Sequence, residues 1–130
     1  LHEKLKKQSK VINLSKTNAR YLNNNIICDT INIIVCDVSF ISMKKVIEPC
    51  LQFLEKENGK VIGLIKPQFE ASKNEIKKGG VILDSEIHAR ICENFRKWFL
   101  SKCRMNVEGI IPSPIKGPKG NIEFLIYAKK

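Results

Sequence analysis

The sequence predicts an α/β fold: a mostly parallel sheet with one reversed strand at its end. Three observations carry that prediction. Apolar runs of strand length and amphipathic runs of helix length follow the order strand, strand, helix, strand, helix, strand, strand. Two of the strands, through Ile31, Ile33, Ile34 and Val35 and through Val61, Ile62, Leu64 and Ile65, are so apolar that they read as buried on both faces. The last two strands are joined by a short turn-rich connector, which suits an antiparallel pair.

Residues 1–10, with Lys4, Lys6, Lys7 and Lys10, read as the end of a polar helix that leads into a strand at Val11–Leu14. Tyr21-Leu22 begins a short helical turn, and Asn23–Asn25 is a turn signal. The strand Ile31–Asp37 follows. Ser42 is placed to cap a helix from Met43 to Glu57, whose Val46, Ile47, Cys50, Leu51 and Leu54 fall at helical spacing before Asn58-Gly59 stops it. Pro49 inside that pattern removes a hydrogen bond and predicts a kink or a late start. The strand Lys60–Lys66 ends at Pro67, which has no amide hydrogen for a central ladder.

Phe69–Asp84 reads as a long polar loop with a Gly79-Gly80 hinge, a length usually reserved for function. Asp84 or Ser85 caps a helix over Glu86–Arg104 with the stripe Ile87, Ile91, Phe95, Trp98 and Phe99. Strand Val107–Ile111, the connector Pro112–Asn121 and strand Ile122–Ala128 complete the chain. No repeat or linker divides residues 1–130, so they form one domain.

The composition excludes several classes of protein. Hydrophobic content of 43% is too high for a disordered chain. Five cysteines without a Cys-x-x-Cys pair, and two distant histidines, argue against a disulfide framework or a metal site and for a reducing, cytoplasmic setting. No apolar run approaches the roughly 20 residues of a membrane span. The first residue is leucine, and the expectation is of further chain upstream. Lys and Arg number 23 against 13 acidic residues. That excess fits a polyanionic partner, nucleic acid before membrane, or a lysine-rich composition bias; charge alone does not separate them.

Asp37 and Lys66 are the sharpest candidates for chemistry. Each follows a buried strand, at the carboxyl end where open α/β sheets keep their ligands. An ion pair at a sheet edge is the competing reading. Phe40 and Phe69 are assigned to the core rather than to base stacking. Lys73, Lys77 and Lys78 on one loop, and Lys116 and Lys119 on another, suit phosphate contacts if the loops flank one edge. A merely solvated loop is the alternative.

Several motifs in fixed order carry a resemblance: Asp37-Val-Ser-Phe-Ile-Ser, Ile65-Lys-Pro-Gln-Phe-Glu-Ala, Lys78-Gly-Gly-Val, Ser113-Pro-Ile with Gly117, and Gly120-Asn-Ile-Glu-Phe-Leu. Asp84 with His88 and the segment Lys16-Thr-Asn-Ala-Arg-Tyr-Leu add to it. Together they resemble the haemolysin A (TlyA) group of FtsJ-like RNA 2′-O-methyltransferases over nearly the whole chain. The resemblance implies a Rossmann-like methyltransferase sheet with an antiparallel last strand. It also implies S-adenosylmethionine as cofactor, and ribosomal RNA or a ribosomal subunit as partner.

Of the group's Lys-Asp-Lys-Glu catalytic set, the resemblance places three members here, at Asp37, Lys66 and Glu123. The first lysine, the glycine-rich cofactor loop, the acidic ribose ligand and an S4-like RNA-binding domain are expected before Leu1. Asp37, Val38, Thr17 and Asn18 are the implied cofactor contacts, although a capped turn accounts for Thr17-Asn18 equally well. Methyl transfer to a ribose hydroxyl needs that oxygen held in line with the methyl carbon and relieved of its proton. On this implication Lys66 orients or deprotonates the hydroxyl, Asp37 sets the positive centre, and Glu123 fixes the lysine side chains. The alternative function is a basic RNA-binding module without catalysis, or a haemolysin-like protein.

Overall fold

The computed structural model describes residues 1–130. Its sheet has four strands, β1 (Ile33–Cys36), β2 (Lys60–Ile65), β3 (Asn106–Pro112) and β4 (Phe124–Lys129), in the order β1-β2-β4-β3. β1 and β2 are parallel, and β4 is antiparallel to both β2 and β3. Three strands thus share one direction and the last in sequence is reversed, as expected. Its place differs: it lies inside the sheet, hydrogen-bonded on both edges, rather than at the end.

Helices α1 (Glu3–Lys6), α2 (Met43–Cys50), α3 (Pro67–Glu70) and α4 (Ser85–Ser101) complete the fold. α2 and α4 pack on one face of the sheet. Met43 and Ile47 of α2 and Ile91, Phe95 and Phe99 of α4 join Val61, Ile65, Ile126 and Ala128 of the sheet in one buried cluster. Burying each large side chain of this kind stabilises the fold by roughly 1.5–3 kcal/mol. Gly63 is required by that contact, because a Cβ there would lie 2.4 Å from the sulfur of Met43.

The other face is open, which corrects the reading of β1 and β2 as strands covered on both sides. Ile33, Val35, Ile62 and Ile111 are exposed there. Ile62, Ile111, Leu125 and Tyr127 border a shallow hollow of about 240 Å³ on it.

Other departures have local causes. Val11–Leu14 is irregular, with Ile12 and Leu14 exposed, because no neighbouring strand offers it a ladder. α2 passes into a 3₁₀ turn at Leu51–Phe53 and stops before Leu54 instead of reaching Glu57. The tertiary pairing wins there: Ile31 donates to the Phe53 carbonyl and accepts from the Glu55 amide, both at 2.8 Å. The expected loop from Phe69 contains structure of its own. Pro67 sits at the first position of α3, and Ser72 with Glu75 forms a capping box around a turn at Lys73–Glu75. α4 is capped by Asp84, which accepts from the Glu86 amide at 2.8 Å. All five cysteines are free; Cys36 and Cys103 are buried, and Cys28 is exposed. No helix is long and apolar enough to cross a membrane.

Candidate active site

The parallel pairing of β1 and β2 brings their carboxyl ends to one rim, and strand alternation decides what faces it. Cys36 and Ile65 end the two strands with buried side chains. The residues that follow, Asp37 and Lys66, therefore turn toward the opposite side. β4 runs the other way, so its start lies at the same rim: Phe124 opposes Ile65, and Glu123 comes just before it.

Lys66 Nζ lies 2.6 Å from Asp37 Oδ1 and donates to the Ser39 hydroxyl at 3.1 Å. The lysine side chain is 13% exposed and the aspartate 66%. An ion pair this open to water contributes about 1 kcal/mol or less to stability. Holding the sheet edge together is thus a weak reason for its presence.

Glu123 is buried, and its Oε1 accepts from Gln68 Nε2 at 3.0 Å. Gly117 makes room for it, since a Cβ there would stand 2.3 Å from that same oxygen. The ion pair of Lys66 is with Asp37 and not with Glu123. Glu123 reaches the Lys66 segment through Gln68, on α3. The side-chain oxygen Oε1 of Gln68 is buried without a partner.

The proposed cofactor contacts are less concentrated. The Thr17 hydroxyl donates to the Ser15 carbonyl, and Asn18 Oδ1 accepts from the Arg20 amide and guanidinium. Both residues are exposed, and neither hydrogen-bonds to the Asp37 group. Val38 packs against the core. Asp37, solvent-facing, is the one anionic group among the four and fits a sulfonium or ammonium centre by charge.

Phe40 departs from its expected place in the core. It is 89% exposed, in a left-handed backbone conformation (φ 63°). Such a conformation is uncommon for a bulky residue and persists only where the surroundings impose it. Its ring lies 4.9 Å from that of Phe69, tilted by 53°. Beside this pair opens a cavity of about 410 Å³, lined by Phe40, Gln68, Phe69, Ile76, Lys119 and Asn121 among others.

Asn121 joins the two loops that border the cavity. Its side chain accepts from the Ile82 amide and donates to the carbonyls of Gly80 and Pro118, at 3.0–3.1 Å. Lys119 donates to the Gly79 carbonyl at 2.6 Å, so its ammonium is engaged in the same clasp. Lys73, Lys77, Lys78 and Lys116 are exposed on these loops.

Ser39, Gln68, Glu70 and Asn121 belong to the site as well. All lie within motifs quoted above, in Asp37-Val-Ser, Lys66-Pro-Gln-Phe-Glu and Gly120-Asn, but composition gives them no separate signal. The Glu70 carboxyl is raised above its ordinary range by burial, against the opposing hydrogen bonds from the Met43 amide and the Ser42 hydroxyl. Burial also pushes the Cys36 thiol up to about 11, which leaves it protonated and unsuited as a nucleophile near this rim.

These features define a Rossmann-like α/β domain with a charged, aromatic-flanked site where its parallel strands end. The chain belongs to the FtsJ-like methyltransferase family, whose model matches residues 1–130. It is 39% identical over 126 residues to hemolysin A of Brachyspira hyodysenteriae, covering 95% of this chain and 51% of that protein. It is 32% identical to the 16S/23S rRNA (cytidine-2'-O)-methyltransferase TlyA of Mycobacterium tuberculosis strain H37Rv, covering 96% of this chain and 46% of the relative. The solved structure of a putative hemolysin from Streptococcus thermophilus superposes with a TM-score of 0.90 at 33% identity, over all of this chain and 46% of that one. The chain thus spans about half the length of these relatives.

Proposed function

We propose that this chain supplies the reacting rim of an S-adenosylmethionine-dependent RNA ribose 2′-O-methyltransferase whose substrate is ribosomal RNA in the cytoplasm. The observation that carries the proposal is the Lys66–Asp37 pair at 2.6 Å, set where two parallel strands end in a member of this family. S-adenosylmethionine, when bound, supplies the electrophilic methyl carbon, and Asp37, Val38, Thr17 and Asn18 are the residues here that would hold it. Bound there, that cofactor would supply its methyl group to the ribose 2′ oxygen, and the hydroxyl proton would pass to water.

Lys66 acts on that hydroxyl. Asp37 and the Ser39 hydroxyl fix its amine in place, so the ribose oxygen meets a positioned group rather than a mobile one. Glu123 steadies the arrangement from behind through Gln68. The exposed ring of Phe40, backed by Phe69, offers a stacking face to a base, a contact worth about 1–3 kcal/mol. Lys73, Lys77, Lys78 and Lys116 serve phosphates as point charges, and Lys119 does so only after leaving Gly79.

The test is to incubate the full-length protein with ribosomal RNA and methyl-labelled S-adenosylmethionine, and to locate the label by nuclease digestion and mass spectrometry. The expected product is a 2′-O-methylated nucleoside. Label on a base, or none, contradicts the proposal.

A further inference from the structure

Glu70 ends α3, four residues after Lys66, and both of its carboxylate oxygens are committed to another element. Oε1 accepts from the Met43 amide at 2.8 Å, and Oε2 accepts from the Ser42 hydroxyl at 2.7 Å. Ser42 and Met43 begin α2, at the far end of the segment that carries Asp37 and Ser39. Ser42 makes no capping hydrogen bond to its own helix. The acid of α3 therefore takes the capping role at α2, where an anion suits the exposed amides.

The two segments that carry the reacting groups are thus joined twice. At the rim, Lys66 meets Asp37 and Ser39; away from it, Glu70 meets Ser42 and Met43. α3 is only four residues long, with backbone bonds from Phe69 to Lys66 and from Ala71 to Pro67 closing it. A single turn of helix has little stability of its own, so its orientation depends on what it is tied to.

We propose that Glu70 is a positioning residue for methyl transfer: by clamping α3 onto the start of α2, it sets where the Lys66 amine stands relative to Asp37. The kinetic part of this proposal rests on the RNA ribose methyltransferase reading; the structural part does not.

Two measurements on this protein test it. In steady-state methyl transfer to ribosomal RNA, Glu70→Ala is expected to lower kcat roughly 10- to 100-fold, the cost of a small misplacement of a reacting group, with KM for RNA nearly unchanged. Glu70→Gln, which keeps an acceptor for Met43 and a polar group for Ser42, is expected to recover most of the rate. Independently, nitrogen-detected NMR of the Lys66 ammonium reports its engagement with Asp37 and Ser39 whether or not methyl transfer is observed. That resonance is expected to persist in Glu70→Gln and to move toward the position of a free lysine in Glu70→Ala. Ser42→Ala removes only one arm of the clamp and gives a smaller shift in the same direction if Glu70→Ala does not fold. A Lys66 resonance unmoved in folded Glu70→Ala, or in Ser42→Ala where Glu70→Ala does not fold, overturns the proposal. So does a kcat in Glu70→Ala equal to that of the parent. A parent that transfers no methyl group sinks the functional reading alone, because the Lys66 resonance still decides the clamp.

Discussion

Gly117 stands against the carboxylate of Glu123 so closely that any side chain there would collide with it: a Cβ would lie 2.3 Å from Oε1 and 2.8 Å from the carboxyl carbon. The glycine is needed for space, because its φ of −73° is one that any residue adopts. Gly117→Ala is expected to push Glu123 off Gln68 and cost about 1–3 kcal/mol, the usual penalty of overpacking. Chemical denaturation of the parent and the variant checks this; equal midpoints and slopes would show that Glu123 has room to move.

A second close approach lies beneath the sheet. Alanine at Gly63 would bring its Cβ to 2.4 Å from Met43 Sδ and 2.8 Å from Cε. Met43 is 1% exposed, so its tip cannot swing into solvent. Gly63→Ala is expected to destabilise by roughly 1–3 kcal/mol, and shortening Met43 to Val in the same chain to return part of that loss. Thermal unfolding of the two single variants and the double variant measures the coupling. Additive effects would mean that the two residues do not meet.

The loop after α3 is tied to α4 by charge. The Arg90 guanidinium, followed by the amide and hydroxyl of Ser72, holds the Glu75 carboxyl down at about 2, from an ordinary 4.5. A depressed carboxyl contributes stability that is present above its unfolded value and lost as pH falls through the folded one. The advantage of the parent over Glu75→Gln is therefore expected to be full at pH 6 and to shrink between about pH 4.5 and pH 2. Melting temperatures measured across that range test the sign. An advantage that grows on acidification would contradict it.

Asn121 satisfies three backbone groups from two loops while itself 2% exposed. Asn121→Ala leaves the Ile82 amide and the Gly80 and Pro118 carbonyls to find other partners, at a cost of roughly 1–3 kcal/mol. Amide hydrogen exchange should quicken at Ile82 more than in the sheet. Uniform protection throughout would show that the clasp does not hold these loops.

Asp37 and Lys66 are legible in the sequence because each follows an apolar run whose length and composition announce a strand end. β2, α4 and β4 are legible for the same reason, since their periodicity is local, and the reversal of β4 follows from the short connector before it. Phe40 is not: an aromatic ring in an apolar neighbourhood reads as core, and only its left-handed backbone and its packing on Phe69 turn it outward. Glu70 and Gln68 escape notice because their partners lie 28 and 55 residues away in the chain. The early end of α2 is hidden in the same way, because helical spacing continues through Leu54 while the backbone is drawn off to pair with Ile31.

The most direct test of the account is the rate at which the Lys66→Ala variant transfers a methyl group to ribosomal RNA, compared with the parent at matched folded fraction by circular dichroism. Removing a group that positions the ribose hydroxyl is expected to lower the rate by about 10²-fold, with the fold unchanged. A folded Lys66→Ala variant as active as the parent would contradict the claim that this amine acts on the ribose hydroxyl.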